Sequence, residues 1–301
     1  MNRQKSAYIY ALSAILLWST VATAFKFALQ TLDFIQLLFF SSFIATVVLF
    51  IIIVLQGKIR TMSGYPLKSY FYSVFLGFLN PFLYYFVLLK AYSMLPAQLA
   101  QPLNYTWPVM LVILSVPLMK QKLTAKSLFA ILISFSGVIA ISMNGKYFDF
   151  SATDIPGVML ATGSSVIWAL YWIFNAKDKR DEVIKLFFNF FFGFLMVIPF
   201  LIGFSDLRLP VMSEALATVY IGLFEMGITF ILWLMAMKLT TSNDKISSLV
   251  FISPFLSLIF IHYVLGEQIH LTTLAGLVLI VAGIFVQKVS FAGKRKNHIR
   301  N

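Results

Sequence analysis

Few residues in this sequence could do chemistry, and most of those stand inside long apolar runs. Glu225 lies midway along the run 215–237, with Thr229 four residues on. Asn80 and Tyr84 form a similar pair midway along 69–90. Residues four apart share a helix face, so each pair is expected to present a polar face at mid-depth. The run 97–118 carries Gln98, Gln101, Asn104, Tyr105, Trp107 and Pro108, of which Gln101, Asn104 and Pro108 fall at spacings of three and four. An ionisable group in such a run is costly and normally faces protein or water. Glu225 therefore has two readings: a cavity carboxylate that carries a proton or binds an ammonium, or a protonated or paired residue that ties helices together. Lys26 also has two, charge coupling or a side chain that snorkels to the membrane interface.

Pro108 removes a backbone hydrogen bond and is expected to bend its helix. Pro254, beside Ser253, should do the same in 246–265. Freed carbonyls at membrane depth are tolerated where they line a cavity; the alternative is a kink that serves packing alone. Trp18, Trp172 and Trp233 read as packing or interfacial rings. Trp107, beside Asn104, and Trp168, beside Ser164 and Ser165, are the exceptions expected to face a cavity. Such walls suit amphipathic or aromatic solutes through stacking and cation–π contact.

No catalytic constellation accompanies these residues. There is no cysteine, and the three histidines, at 262, 270 and 298, form no His-x-x-x-His pair. Thiolate chemistry, disulfides and cysteine metal sites are excluded. We expect no enzyme activity, no metal and no cofactor.

The elements that must position these groups follow from composition. Apolar residues make up 60% of the 301 and charged residues 11%, against about 25% charged in a soluble domain. So little charge cannot cover a water-facing surface, and the lipid bilayer is the expected partner. The net charge of +12 does not indicate nucleic-acid binding, because the basic residues sit in short gaps between apolar runs. A membrane helix needs roughly 20 apolar residues. Ten stretches qualify: 8–29, 34–55, 69–90, 97–118, 126–143, 155–176, 185–204, 215–237, 246–265 and 271–289. The first, with Arg3 and Lys5 ahead of it and Ala22-Thr23-Ala24 within it, resembles a signal peptide. It is read as a span because it is long enough and the repeat described next needs it.

Placing the N-terminus in the cytoplasm puts 19 of the 23 Lys and Arg on that side; only Lys26, Lys90, Lys146 and Arg208 fall on the other. The positive-inside rule thus predicts a multi-pass protein of the cell (inner) membrane with both termini cytoplasmic. The second half echoes the first. Gly77-Phe78-Leu79 matches Gly222-Leu223-Phe224, Pro108 matches Pro254, and Ser136-Gly137-Val138 matches Ala282-Gly283-Ile284, at offsets of 145 to 146. Trp18 matches Trp168 at 150. Five spans per half make the halves inverted, the architecture of many secondary transporters with a midplane site. The expected units are 1–143, a linker 144–154, a second repeat 155–289 and a basic tail 290–301. Ala130, Ser134 and Gly137, with Gly276 and Gly283, give small-residue faces expected to serve as scaffold.

Several of these features together resemble a known family. Trp18 with Lys26, the Ala97 to Pro108 stretch, Pro254 with Gly266-Glu267, and the Gly276 to Gly283 pattern are similar to the EamA family of the drug/metabolite transporter superfamily. The Asn104-Tyr105-Thr106-Trp107-Pro108 segment is most similar to its branch of aromatic amino acid exporters. The resemblance implies that spans 1, 3, 4, 6, 8 and 9 enclose the substrate cavity, the spans that hold Tyr84, Tyr105, Trp107, Trp168 and Ser253. It also implies export. One departure is Lys120-Gln121-Lys122, where a counterpart of Gly266-Glu267 would stand.

The combined expectation is an all-α secondary transporter of amino acids or related metabolites, working by alternating access as spans 3–4 and 8–9 rock against the rest. The substrate cavity is assigned to Asn80, Tyr84, Gln101, Asn104, Tyr105, Trp107, Trp168, Glu225, Thr229 and Ser253. Proton or charge coupling falls to Glu225 and Lys26. A lipid flippase or scramblase, or a sugar-phosphate or nucleotide-sugar carrier, stands as the alternative. The last would want several cavity cations, and only Lys26 offers one.

Overall fold

The computed structural model describes residues 3–120, 124–146, 154–206, 208–240, 246 and 248–298, with side chains as far as 286. Among the described residues the chain is helical throughout, with no strand. Eight helices are long and apolar enough to cross a membrane: α1 (Arg3–Ala28), α2 (Phe34–Leu55), α3 (Leu67–Met94), α4 (Ala97–Met119), α5 (Ala125–Ser142), α6 (Ile155–Asn175), α7 (Glu182–Phe204) and α8 (Met212–Leu239). Two shorter apolar helices follow, α9 (Val250–Leu265) and the apolar part of α10 (Leu271–His298).

Helix starts are set by short polar side chains that satisfy otherwise unpaired N–H groups. Asp33 Oδ1 accepts from the N–H of Ile35 at 2.8 Å and of Gln36 at 3.0 Å, while Gln36 returns a bond to the Asp33 N–H. Asp154 caps α6 through Gly157, and Asp181 caps α7 through Val183 and Ile184. Along the helices, Phe43, Ile51, Phe129, Leu132 and Ile202 are exposed. Apolar exposure on this scale marks a surface that meets lipid rather than water.

With no hydrophobic drive between helices in lipid, close approach depends on small residues. The α5–α10 pair shows this at two reciprocal points. A Cβ built on Gly137 would stand 2.5 Å from the Gly276 carbonyl, and one on Gly276 would stand 2.5 Å from that of Gly137. Gly283 packs as tightly on Ala130 and Ser134. The remaining helices form two groups: α1 packs on α8 and α9, and α6 packs on α3 and α4. Further contacts run from α2 to α8, from α7 to α3, and between α2 and α7.

Two helices depart from α geometry at mid-length. Phe78–Leu83 in α3 and Ile221–Ile228 in α8 are π-helical. In α3 the cause is local. The residue before a proline is pushed to extended backbone, and Asn80, before Pro81, has φ −151° and ψ 120°.

Candidate functional site

Pro108 and Pro254 do more than bend their helices. Helix α4 is broken into Ala97–Asn104 and Trp107–Met119, with Tyr105 and Thr106 between. Pro108 stands in the first turn of the second piece, where a missing N–H leaves no intrahelical bond unmade. Pro254 occupies the same place in Ser253–Leu265, after a 3₁₀ turn at Val250–Ile252. At Pro108 the expected kink is a break between two helical pieces, whereas at Pro254 a 3₁₀ turn runs directly into the α-helix without interruption. Thr106 Oγ1 lies 2.8 Å from the Leu103 carbonyl and 2.9 Å from Ser165 Oγ, which fixes the break to α6.

A cavity of about 420 Å³ lies beside this break. Tyr84, Gln101, Asn104, Tyr105, Trp107 and Trp168 line it, all named from sequence, and Glu225 joins them. All five tryptophans of the chain reach its wall, which corrects the expectation that Trp18, Trp172 and Trp233 serve packing or the interface. The rings are ordered against one another. Tyr84 stacks on Trp168 at 4.4 Å and 26°, Trp172 meets Trp168 edge-on at 5.7 Å, and Trp233 lies 5.5 Å from Trp18.

Three assigned residues lie behind this wall. Asn80 is fully buried and separated from Tyr84, because its extended backbone breaks the four-residue register. Its amide stands near Tyr171 and Asn189 instead. Thr229 is fully buried too and is absent from the cavity lining. Glu225 therefore reaches the cavity without it. Ser253 backs Tyr105 and receives a 3.2 Å hydrogen bond from Ser19.

Glu225 is 8% exposed. The Tyr85 hydroxyl donates to its Oε1 at 2.9 Å, whereas Oε2 is buried and has no hydrogen-bond partner among the described residues. Asn104 is held on both sides: Oδ1 accepts from the Tyr84 hydroxyl at 3.2 Å and Nδ2 donates to Ser164 Oγ at 2.8 Å. Tyr85 and Tyr92 were missed in sequence, being two more aromatic residues among many. Tyr92 donates to Gln101 Oε1 and lines the cavity.

One end of the cavity is closed by polar contacts around the start of α4. Gly266, in left-handed conformation at φ +71°, ends α9. The next residue, Glu267, then caps α4 across the gap. Its Oε1 accepts from the Ala97 N–H at 2.8 Å and its Oε2 from the Gln98 N–H at 3.0 Å. The Gln98 side chain donates to the Gln268 carbonyl at 2.7 Å and accepts from the His270 N–H at 3.0 Å. Lys26 is half-buried near the same end. Its Nζ donates to the Tyr92 and Leu95 carbonyls at 3.0 and 3.1 Å, at the C-terminal end of α3, where a cation is favoured. Gln121, the expected counterpart of Glu267, lies outside the described residues.

At the opposite end, outside the helices, Arg180 is bound by Asp178 at 2.6 Å and by Ser73, and Lys58 pairs with Asp181 at 2.6 Å. Burial would raise both aspartate carboxyls, but the hydrogen bonds and charge from Arg180 and from Lys58 outweigh it and hold each below the usual value.

Comparison with known proteins bears on this arrangement. A solved crystal structure is similar in fold at a TM-score of 0.67, with 24% identity, over 95% of this chain and 97% of its own. An uncharacterized transporter of Clostridium kluyveri is 25% identical over 98% of this chain and 96% of its own. The aromatic amino acid exporter YddG of Ancylobacter novellus is 28% identical over 52% of this chain and 54% of its own. The uncharacterized transporter YoaV of Bacillus subtilis is 22% identical over 94% of this chain and 97% of its own. The model of the EamA-like transporter family matches residues 5–143 and again 155–287. With both halves matched, this multi-pass helical membrane protein belongs to the EamA-like transporter family.

Proposed function

We propose that the chain is a secondary transporter that exports a small organic solute, an amino acid or related metabolite, by alternating access. The observation that carries this reading is an aromatic cavity beside the α4 break, with polar contacts from Glu267 and Gln98 closing one end. In the proposed architecture, α1–α5 and α6–α10 are two inverted halves with both termini cytoplasmic. The helix pairings support it. Replacing each helix by the one five along turns α1–α9 into α6–α4, α1–α8 into α6–α3 and α2–α8 into α7–α3, and all of these occur.

The Ala97–Asn104 piece of α4 packs on the Ser253–Leu265 piece of α9. In the proposed topology the closed end is external and the cavity faces the cytoplasm, poised to load. The α1–α8–α9 group then rocks against the α3–α4–α6 group to open the external end.

The test is transport in proteoliposomes with a panel of labelled amino acids and metabolites, with and without a pH gradient. Saturable movement of one solute class, with weaker apparent affinity in Trp107→Ala, is expected. Translocation of lipid with no movement of any solute would overturn the reading in favour of a flippase.

A further inference from the structure

The cavity carries charge of one sign only. Glu225 is its one charged lining residue, and no Lys, Arg or His lines it among the described residues. Lys26, next in sequence to the lining residue Phe25, is committed to the Tyr92 and Leu95 carbonyls and lies within Coulombic reach of Glu267, and Lys238, next to Met237, is exposed. A substrate carboxylate would find no cation here. The Asn104 amide offers it at most one neutral N–H, since the other donates to Ser164 and Oδ1 accepts from Tyr84. An ammonium, by contrast, would find Glu225 Oε2, more than nine-tenths buried and unpartnered. Around it stand indole and phenol faces, which attract cations through their ring quadrupoles.

From this geometry we propose that the site selects an aromatic or apolar amine carried as a monocation, with the ammonium on Glu225 and the apolar body between the tryptophans, and that a substrate carboxylate is not needed. The proposal rests on the reading of the cavity as the transport site. A buried carboxylate without a partner is costly, so a proton and the substrate cation are alternative occupants of Oε2. Binding then exchanges one for the other: the protonated carboxyl releases its proton as the ammonium arrives, and the site stays neutral. The other titratable groups that face Glu225 are Tyr84, Tyr85 and Tyr92 on α3 and Tyr105 in the α4 break. None is a base that could take the proton in its place, because a tyrosine hydroxyl is already protonated and neutral at physiological pH.

Three ligands with one ring and different charge test this: phenethylamine (cation), phenylalanine (zwitterion) and 3-phenylpropionate (anion). Every tryptophan of the chain lies on the cavity wall, so the intrinsic fluorescence of the purified full-length protein reports occupancy directly. Phenethylamine is expected to bind at least tenfold more tightly than phenylalanine, with 3-phenylpropionate weaker still. Its binding in dilute buffer should release about one proton per protein. Glu225→Gln should remove at least tenfold of the phenethylamine affinity and all of the proton release. Proton release from the parent protein needs no variant, so a misfolded Glu225→Gln would not rescue the idea. Phenylalanine binding as tightly as phenethylamine, or phenethylamine binding without proton release, overturns the amine proposal and leaves the cavity reading standing. If none of the three alters the fluorescence, the cavity reading itself fails and takes the proposal with it.

Discussion

Glu267→Gln is a direct test of how the closed end is held. The carboxylate spans from the end of α9 to the first two N–H groups of α4, so both hydrogen bonds exist only while that end is shut. Hydrogen bonds to a charged group contribute about 1.5–3 kcal/mol each, and loss of a helix cap costs about 0.5–2 kcal/mol. Glutamine keeps the shape and one acceptor oxygen but loses the second acceptor and the charge. Water takes over part of what is lost when the end opens, so a net change of about 1.4 kcal/mol is reasonable, a tenfold shift from closed to open. The absence of cysteine makes the assay clean. Ala100 is fully buried on the Ala97–Asn104 piece, and a cysteine there should react with an impermeant maleimide only when the closed end opens. In the Ala100→Cys background, Glu267→Gln should speed alkylation from the external side about tenfold, with the thermal transition retained. An unchanged rate would refute the latch. A lowered thermal transition with no faster labelling would instead make Glu267 an element of folding.

Other outcomes follow from the packing and the charges. Gly276→Ala must displace the Gly137 carbonyl or the helix behind it, and overpacking of this kind costs about 1–3 kcal/mol. Melting in detergent should fall by several degrees, whereas Gly163→Ala, with nothing within 4 Å of its added Cβ, should leave it unchanged or raised. Asp178 and Asp181 are both held below the usual carboxylate value. Their contribution is therefore complete above the unfolded value, about pH 4, and is lost as pH falls through the depressed folded value. Through these two groups thermal stability should not vary with pH near neutrality and should fall on the acid side of about pH 4, and Asp178→Asn should flatten that acid limb while lowering stability at pH 7. Trp107→Ala should weaken binding of the transported solute about tenfold, in line with loss of about 0.5–1.5 kcal/mol of ring contact beyond area burial. Undiminished affinity would remove Trp107 from the site.

How much of this was legible in the sequence varies with the kind of signal. Eight of the ten expected stretches are helices long and apolar enough to span, and they were visible because a helix must satisfy its own backbone in lipid, so length and hydropathy alone delimit it. The small faces of α5 and α10 were visible for a related reason, since close approach requires missing side chains. The helix breaks were partly visible. Pro108 and Pro254 were read as bends, yet Thr106-Trp107-Pro108 and Ile252-Ser253-Pro254 both place proline in a first turn, where it starts a helix instead of bending one. Asn80-Pro81 carried a signal that the four-residue pairing of Asn80 with Tyr84 ignored: a residue before proline leaves helical backbone, and its side chain leaves the expected face with it.

The aromatic wall was least legible, and the cause is physical. In water, burial separates apolar from polar faces, and periodicity reveals the core. In lipid the outside is as apolar as the inside, so a tryptophan facing a cavity and one facing acyl chains occupy equivalent sequence patterns. Only polar atoms carry directional information there, because each must find a partner or a cavity. Glu225 could be located from sequence on that ground, and so could Asn104. Glu267 could not, although it is no less polar, because its partners are the Ala97 and Gln98 N–H groups about 170 residues away in sequence. A helix N-terminus is an acceptor's target wherever the fold brings it, and no spacing along the chain encodes which acceptor will arrive. The feature that most resembled a loose family motif is thus a contact between α9 and α4 whose meaning depends on both helices. In the proposed alternating-access cycle its strength would set how readily the closed end opens, which is why the most informative substitution in this chain lies outside the cavity.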